Sequence, residues 1–221
     1  GRAMPLGTDR VMSQGRTRLE DERLLRGEGA FTADVHPAGL LDVAFVRSPL
    51  AHARVAGLDA DDAAAMTGVE LVVTATDLVG LQPYPDLHPR TRPVAQHALA
   101  VDRVRYVGSP VAAVVAADRY LAEDAAERVV VDYEELPVVG DIDAALAPDA
   151  PRLYEDWPDN VVVAMAPPNP ALDEVFSSAR VISGEYRMGR HAPVPLEGRA
   201  VVAEYRGGRL TVWTSTQVAH V

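Results

Sequence analysis

The chain has 221 residues, is 48% hydrophobic and carries a formal net charge of −11. All 21 basic residues are arginines scattered along the sequence, which disfavours nucleic-acid binding because that function uses a clustered basic surface. The chain contains no cysteine, which excludes disulfides, iron-sulfur ligation, thiolate zinc sites and cysteine nucleophiles within it.

The sequence shows neither a membrane span nor a signal peptide. Its longest apolar run, Val111 to Ala117, covers about a third of the roughly 20 residues that a bilayer crossing requires. The N-terminal residues are polar and lack the apolar core of a signal peptide. We therefore expect a soluble protein of the cytoplasm.

The N-terminal part is predicted to begin with a polar arm, residues 1–19, whose order depends on contacts elsewhere. Regular patterning starts near residue 40. The expected elements are strands at 41–47, 52–58 and 69–74 and an alanine-rich helix at 59–66, with Gly68 just after the helix. Residues 80–97 contain four prolines and therefore predict a long irregular loop.

The stretch from residue 111 to residue 133 has the clearest pattern. A buried strand at 111–117 is followed by Asp118, which has the character of an N-cap residue. A helix at 119–128 and a strand at 129–133 follow. Continuous apolar strands are typical of sheets covered by helices, so this β-α-β order indicates an α/β or mixed α+β fold.

A segment rich in proline and acidic residues, 148–160, is the predicted boundary between two domains. Beyond it the pattern indicates strands at 161–164, 181–188, 199–205 and 209–215 and a helix at about 170–179. Gly207 and Gly208 are expected to join the last two strands in a tight hairpin. The second domain has only begun its sheet there, so we expect it to continue beyond Val221.

The residues by themselves supply no self-sufficient active site. None of the six histidines has the i, i+4 spacing beside a carboxylate that favours a metal site, and no G-x-S-x-G nucleophile elbow is present. We interpret His52 as a structural hydrogen-bonding residue, and Gly27-Glu28-Gly29 as a turn into a strand rather than a phosphate loop. Glu134 and Glu135 are interpreted as a solvated strand end, with carboxylates on opposite faces.

Five blocks of the sequence are informative because of their order and spacing along the chain. They are RLLRGEGAF (residues 23–31), FVRSPLAHARV (45–55), VRYVGSPVAAVVAADRYLAEDAAERVVVDYEELPVV (104–139), PLEGRAVVAEY (195–205) and RLTVWTSTQVAH (209–220). In their order and spacing these blocks resemble the large subunit of the molybdenum hydroxylases. That family includes xanthine dehydrogenase, aldehyde oxidase and carbon monoxide dehydrogenase, and the third block is its most specific match.

The resemblance implies an α+β fold with two domains. An α/β hammerhead domain is expected at residues 20–147, followed by the linker at 148–160 and the start of a mixed α/β molybdopterin-binding domain at 161–221. The implied activity is hydroxylation of an aldehyde or an N-heteroaromatic substrate, or oxidation of carbon monoxide. The chain is then the N-terminal part of a molybdenum-cofactor subunit, and we expect this segment to be inactive alone.

The implied cofactor is molybdenum held by molybdopterin, expected in its cytosine dinucleotide form and bound mostly by residues outside this segment. Electrons are expected to pass to iron-sulfur clusters and FAD on partner subunits. The partners are an iron-sulfur subunit and an FAD subunit, or the remainder of a split large subunit, together with a small-molecule substrate. The alternative function is a non-catalytic assembly or binding module derived from the hammerhead fold.

The resemblance assigns one residue to the cofactor. Gln217, in the TSTQ segment, matches a family residue that lies beside an oxygen ligand of the molybdenum. No catalytic residue and no metal ligand are expected in the chain, because the family's glutamate base has no match here. Glu197 occupies the family's Glu-x-Arg position and is expected to be a buried structural acid, paired with Arg199 or with a backbone group.

Overall fold

The computed structural model describes residues 18–84, 91–164, 169–189 and 191–217. It divides into two compact units. The large unit is Gly39–Glu185, and the small unit comprises the described residues of Gly1–Ala38 and of Tyr186–Val221.

Short helices and strands make up both units. The helices are α1 (Asp21–Leu25), α2 (Asp61–Ala64), α3 (Arg119–Ala126), α4 (Ile142–Leu146) and α5 (Pro170–Ser178), with 3-10 turns at Thr32–Asp34 and Ala75–Leu78. The strands are β1 (Asp42–Arg47), β2 (Ala53–Asp59), β3 (Val69–Thr74), β4 (Arg103–Val104), β5 (Pro110–Ala116), β6 (Val130–Glu135), β7 (Val201–Arg206) and β8 (Arg209–Thr214). Every helix within the described ranges is too short or too polar to cross a membrane.

Two antiparallel sheets organise the described part of the large unit. The first has the strand order β1-β5-β3, and the second has the order β4-β2-β6. The predicted β-α-β order along the chain is therefore right, but strands β5 and β6 lie in different sheets and no parallel crossover joins them. The combination of helices with these sheets confirms the α+β fold class.

Strand β5 carries the core of the large unit. Val114 is fully buried in one apolar cluster with Ala63 and Ala125. Val111 lies in a second cluster with Ala53 and Val104. Because β5 contributes to both clusters, nearly every residue along it is in apolar surroundings. This burial explains the continuous apolar run in its sequence.

Helix α3 packs against the first sheet through small residues. Its start is fixed by the predicted N-cap, since the Asp118 carboxylate accepts a hydrogen bond from the Leu121 N–H at 3.0 Å. Ala122 and Ala125 are buried on the side that meets the sheet. Alanine favours the helix and lets its backbone approach the strands closely.

Two predicted strands are wrong. Residues 161–164 form only an isolated bridge between Val163 and Thr91, because the neighbouring loop contains Pro93 and cannot extend a ladder. Residues 181–188 are not a strand, since no strand in the described ranges pairs with them. Of the N-terminal arm, residues 1–17 lie outside the described residues.

The other predicted elements are confirmed, with shorter bounds for several. Strands β1, β2, β3, β5, β6, β7 and β8 and helices α2, α3 and α5 all occur where the sequence indicates them. The described parts of the 80–97 loop contain neither a helix nor a strand, and residues 85–90 lie outside those parts. The short elements α1, α4 and β4 were not predicted, because none of them has a local signal like the alanine-rich run that precedes Gly68 at α2.

The segment at 148–160 has no helix or strand but is held by specific contacts within the large unit. The Asn160 side chain accepts a hydrogen bond from the Leu153 N–H at 3.1 Å and donates one to the Pro151 carbonyl at 2.9 Å. Trp157 is buried and stacks on Tyr154, with ring centroids 4.4 Å apart. Its role as a domain boundary stays a prediction.

An ion pair fixes the end of this segment. The Arg92 guanidinium donates hydrogen bonds to both carboxylate oxygens of Asp159 and also lies over the Trp157 ring. Hydrogen bonds from Arg92 and from the Val161 N–H lower the pKa of Asp159 below its usual range. Residues 148–160 and the loop at 80–97 are therefore joined by an ion pair as well as by packing.

The turn between α2 and β3 offers a sharp test of the fold. Gly68 has φ +89°, and a Cβ there would lie 2.6 Å from Leu121 Cδ2. Gly108 has nearly the same φ, +90°, with no atom within 4 Å of the added Cβ. We expect G108A to destabilise by about 1–2 kcal/mol through backbone strain alone, and G68A to cost more because Leu121 must also move.

Urea denaturation of the purified chain measures both losses. In an L121A background the excess cost of G68A over G108A should vanish, because the clash partner is gone. Equal costs for G68A and G108A in the unmodified chain would show that helix α3 does not press against this turn.

Candidate functional site

The β7–β8 hairpin in the small unit presents Gln217 just beyond its last strand. Gly207 and Gly208 both have positive φ, +59° and +79°, which confirms the predicted tight hairpin because both central residues of a type I′ turn need that conformation. The turn sets the register, which pairs Val201 with Thr214 at the open end. Gln217 follows three residues after Thr214 and is exposed.

Ser215 ties the open end of the hairpin together. The Ala200 N–H donates a hydrogen bond to the Ser215 hydroxyl at 2.8 Å, and the hydroxyl donates to the Gly198 carbonyl at 2.8 Å. The Ser215 N–H also donates to the Ala200 carbonyl at 3.1 Å. The segment before β7 and the segment that carries Gln217 are therefore fixed side by side.

Glu197 anchors the same place to the N-terminal part of the small unit. Its Oε1 accepts a hydrogen bond from the Thr32 N–H at 2.6 Å, and Thr32 is buried. This N–H begins a 3-10 turn and has no acceptor within the turn itself. Of the two partners expected for Glu197, the structure shows the backbone group, but the side chain is half-buried and not fully buried as expected. The carboxylate is therefore a structural acceptor.

Gln217 is the predicted cofactor residue, and its chemistry suits a neutral contact. Its amide N–H can donate and its oxygen can accept, and no charge has to be removed from water when a ligand covers it. The contact with a cofactor stays a prediction. No cluster of three or more His, Cys, Asp or Glu side chains suited to a metal ion occurs in the described ranges.

His52 is a buried structural residue, as the sequence predicts, but only one of its ring nitrogens has a partner among the described residues. Its Nδ1 lies 2.8 Å from the Pro137 carbonyl, which can only accept, so Nδ1 carries the proton. Its Nε2 and the Tyr133 hydroxyl are buried without a hydrogen-bond partner in that part of the chain. Burial raises the pKa of Tyr133, which keeps this hydroxyl neutral.

The glycine pair near the N-terminus ends a helix. Gly27 has φ +73° and follows α1, where the Gly27 N–H donates to the Leu24 carbonyl and the Glu28 N–H donates to the Arg23 carbonyl. This is a Schellman motif. The predicted turn is confirmed, but no strand follows it, because the chain enters the 3-10 turn at Thr32–Asp34.

The acidic pair Glu134 and Glu135 closes β6 on the surface, as predicted. Glu134 forms an exposed ion pair with Arg54 on the neighbouring strand, with 3.4 Å between Nε and Oε2. Exposed pairs of this kind contribute little stability. The two carboxylates do not form an acid–base pair.

Two family models match successive parts of the chain. Residues 26–137 match the aldehyde oxidase and xanthine dehydrogenase a/b hammerhead domain. The chain belongs to the aldehyde oxidase and xanthine dehydrogenase family. Residues 153–221 match a molybdopterin cofactor-binding domain, so Glu197, Ser215 and Gln217 all lie within that second match.

Relatives and solved structures agree with this assignment. The chain is 39% identical to the nicotine 6-hydroxylase large subunit of Paenarthrobacter nicotinovorans, with 96% of this chain and 27% of that protein aligned. It is 39% identical to the carbon monoxide dehydrogenase large chain of Afipia carboxidovorans, with 93% and 27% aligned. Quinoline 2-oxidoreductase from Pseudomonas putida 86 superposes with a TM-score of 0.78 at 40% identity, over 91% of this chain and 26% of that one.

The chain thus spans about a quarter of the length of the curated relatives that it matches. Two residues at this place in the chain, Ser215 and Thr32, were not predicted from the sequence. Ser215 was included in the predicted strand 209–215, whereas β8 ends at Thr214, so the sequence pattern did not single out its hydroxyl. Nothing could have indicated Thr32, which contributes a backbone group to a residue 165 positions away.

Substitution of Glu197 tests the anchor to Thr32. E197A leaves the buried Thr32 N–H without an acceptor, and we expect a loss of about 1–3 kcal/mol in the free energy of unfolding, measured by urea denaturation. E197Q keeps an oxygen acceptor and should lose less than half as much. E204A, which removes a neighbouring surface ion pair with Arg206, is the control and should cost no more than about 1 kcal/mol. Similar losses in E197A and E204A would contradict the anchor.

Proposed function

We propose that this chain is the N-terminal part of the molybdenum-cofactor subunit of a molybdenum hydroxylase. The reaction is oxidative hydroxylation of an aldehyde or an N-heteroaromatic substrate, or oxidation of carbon monoxide. One observation carries the proposal: a hammerhead match and a cofactor-domain match follow each other along a single chain. The names of the relatives, which include a nicotine hydroxylase and a carbon monoxide dehydrogenase, support the same reaction classes.

We propose the domain boundaries on the same basis. A hammerhead domain at residues 20–147 follows a short arm at 1–19, and residues 161–221 begin the first molybdopterin-binding domain. Residues 148–160 connect the two. The proline content of this connection and its lack of helix or strand support the division.

The donors that the chain offers fit a peripheral contact with molybdopterin. When bound, this cofactor supplies the redox chemistry of the reaction. Gln217 is exposed on a segment fixed by Ser215, so its neutral amide can meet a polar group of the cofactor. We further propose the cytosine dinucleotide form.

The lack of cysteine in the chain bears on which subunits could accept its electrons. Iron-sulfur clusters need thiolate ligands, and the chain has no cysteine, so any cluster that receives its electrons is held by other residues. We propose an iron-sulfur subunit and an FAD subunit as the electron acceptors, in a cytoplasmic complex. The remainder of a split large subunit is the other partner to be considered.

The composition of the native complex tests this function. We expect the complex purified from the source organism through this chain to contain molybdenum, an organic pterin, iron and flavin, measured by elemental analysis, absorbance and intact mass. It should reduce an artificial electron-accepting dye with at least one of three probes, namely benzaldehyde, quinoline and carbon monoxide. A complex without molybdenum or redox partners would overturn the proposal and favour the non-catalytic assembly module.

A substitution at Gln217 tests the proposed cofactor contact. Q217L removes the amide at similar size, and we expect a changed Mo(V) electron paramagnetic resonance spectrum after partial reduction with dithionite. Turnover with the active probe should fall about tenfold, the equivalent of one hydrogen bond of roughly 1.4 kcal/mol. Q82L, at an exposed glutamine of the large unit, is the control and should change neither property. An unchanged spectrum in Q217L would remove Gln217 from the site.

A further inference from the structure

We propose that Ser215 is the positioning residue for Gln217. Its hydroxyl fixes the point at which Thr216 and Gln217 leave the β7–β8 ladder. This inference rests on the proposed contact between Gln217 and the cofactor. It goes beyond that contact by naming the side chain that determines where the amide lies.

The hydrogen bonds around Ser215 depart from a regular ladder in one respect. The register that pairs Val201 with Thr214 places Ala200 opposite Ser215. In a hydrogen-bonded antiparallel pair each residue donates its N–H to the carbonyl of the other. The Ser215 N–H follows this rule, at 3.1 Å from the Ala200 carbonyl. The Ala200 N–H instead donates to the Ser215 hydroxyl, at 2.8 Å.

This exchange of acceptor explains how the ladder ends. Because the hydroxyl takes the place of the Ser215 carbonyl, the Ala200 N–H stays satisfied while the backbone after Ser215 turns away. A residue without a side-chain acceptor would either continue the ladder or leave this N–H unpaired. Gln217 lies two residues further along, in a bend and not in a strand. The departure point is therefore set by one side chain.

The hydroxyl is also fixed in its orientation. Its proton is directed to the Gly198 carbonyl at 2.8 Å, since the Ala200 carbonyl lies at 3.4 Å and already accepts the Ser215 N–H. Ser215 thus donates and accepts at once, and it is half-buried, so water competes less for these bonds. The hydroxyl holds two backbone groups of the segment before β7.

That segment is itself held at a second point. Glu197, next to Gly198, accepts the hydrogen bond from the buried Thr32 N–H. Ser215 therefore fastens the Gln217 segment to a part of the small unit that does not depend on the hairpin alone. An amide whose position is fixed before binding loses less conformational entropy when it contacts a ligand. This preorganisation strengthens the contact without a new interaction.

The experiment compares two isosteric substitutions in the native complex. S215T keeps the hydroxyl and adds a methyl group. S215V has the same shape as S215T but carries a second methyl group in place of the hydroxyl. T214V removes the neighbouring exposed hydroxyl on β8 and is the matched control. Amide hydrogen exchange of residues 198–217, molybdenum content and the Mo(V) spectrum of the dithionite-reduced complex are measured for each, with Q217L as the reference.

We expect S215V to raise exchange at Ala200 and at residues 215–217 by about tenfold, the effect of one lost hydrogen bond. Its Mo(V) spectrum should change in the same direction as that of Q217L, at an unchanged molybdenum content. S215T should restore both properties, and T214V should alter neither. In the double variant S215V/Q217L the spectrum should equal that of Q217L, since no amide remains to be positioned.

Two results overturn the proposal and are distinguishable. If Q217L changes the spectrum while S215V raises exchange without changing it, Ser215 only stabilises the hairpin and the proposed function stands. If Q217L leaves the spectrum unchanged, Gln217 has no cofactor contact and Ser215 has nothing to position. S215A, compared with S215T, gives the same decision should S215V fail to assemble.

Discussion

The burial of strand β5 is the constraint on which the large unit depends. Val114 and Val111 belong to different apolar clusters, and Val46 packs against both. Complete burial of a valine side chain contributes about 1.5–3 kcal/mol, so these positions outweigh any surface ion pair in the unit. The arrangement also explains why β5 is the middle strand of its sheet, with β1 and β3 as neighbours. A polar residue at either valine would face apolar atoms without a hydrogen-bond partner.

The small unit is held differently, because none of the described residues forms a buried apolar cluster under its hairpin. One face of β7 and β8 exposes Val201, Tyr205, Leu210 and Val212. A two-stranded hairpin is marginally stable by itself, so each further contact matters more than it would in a larger sheet. The hydrogen bonds of Ser215 and Glu197 therefore have more effect here than similar bonds would have in the large unit. They also join segments that are distant in the sequence.

The sequence predicts a feature of this structure when the interacting residues are close together in the chain. β5 and the hairpin were predictable, because a continuous apolar run and a pair of glycines are local signals. The strand expected at 181–188 was wrong because strand formation needs a partner, which a local pattern cannot reveal. In the site, Gln217 came from the family resemblance. For Glu197 the expected partner was either Arg199 or a backbone group, and no local pattern could identify that group as the Thr32 N–H.

Neither Glu197 nor Gln217 is suited to act as the general base of the proposed reaction. A general base must lie within hydrogen-bond reach of the proton that it removes. Glu197 already directs its Oε1 to a buried N–H, and moving it toward a substrate would leave that N–H unpaired. Gln217 is exposed, but an amide does not take up a proton near neutral pH. In the proposed function Gln217 orients a polar group of the cofactor, and a base for the reaction has to come from residues other than these two.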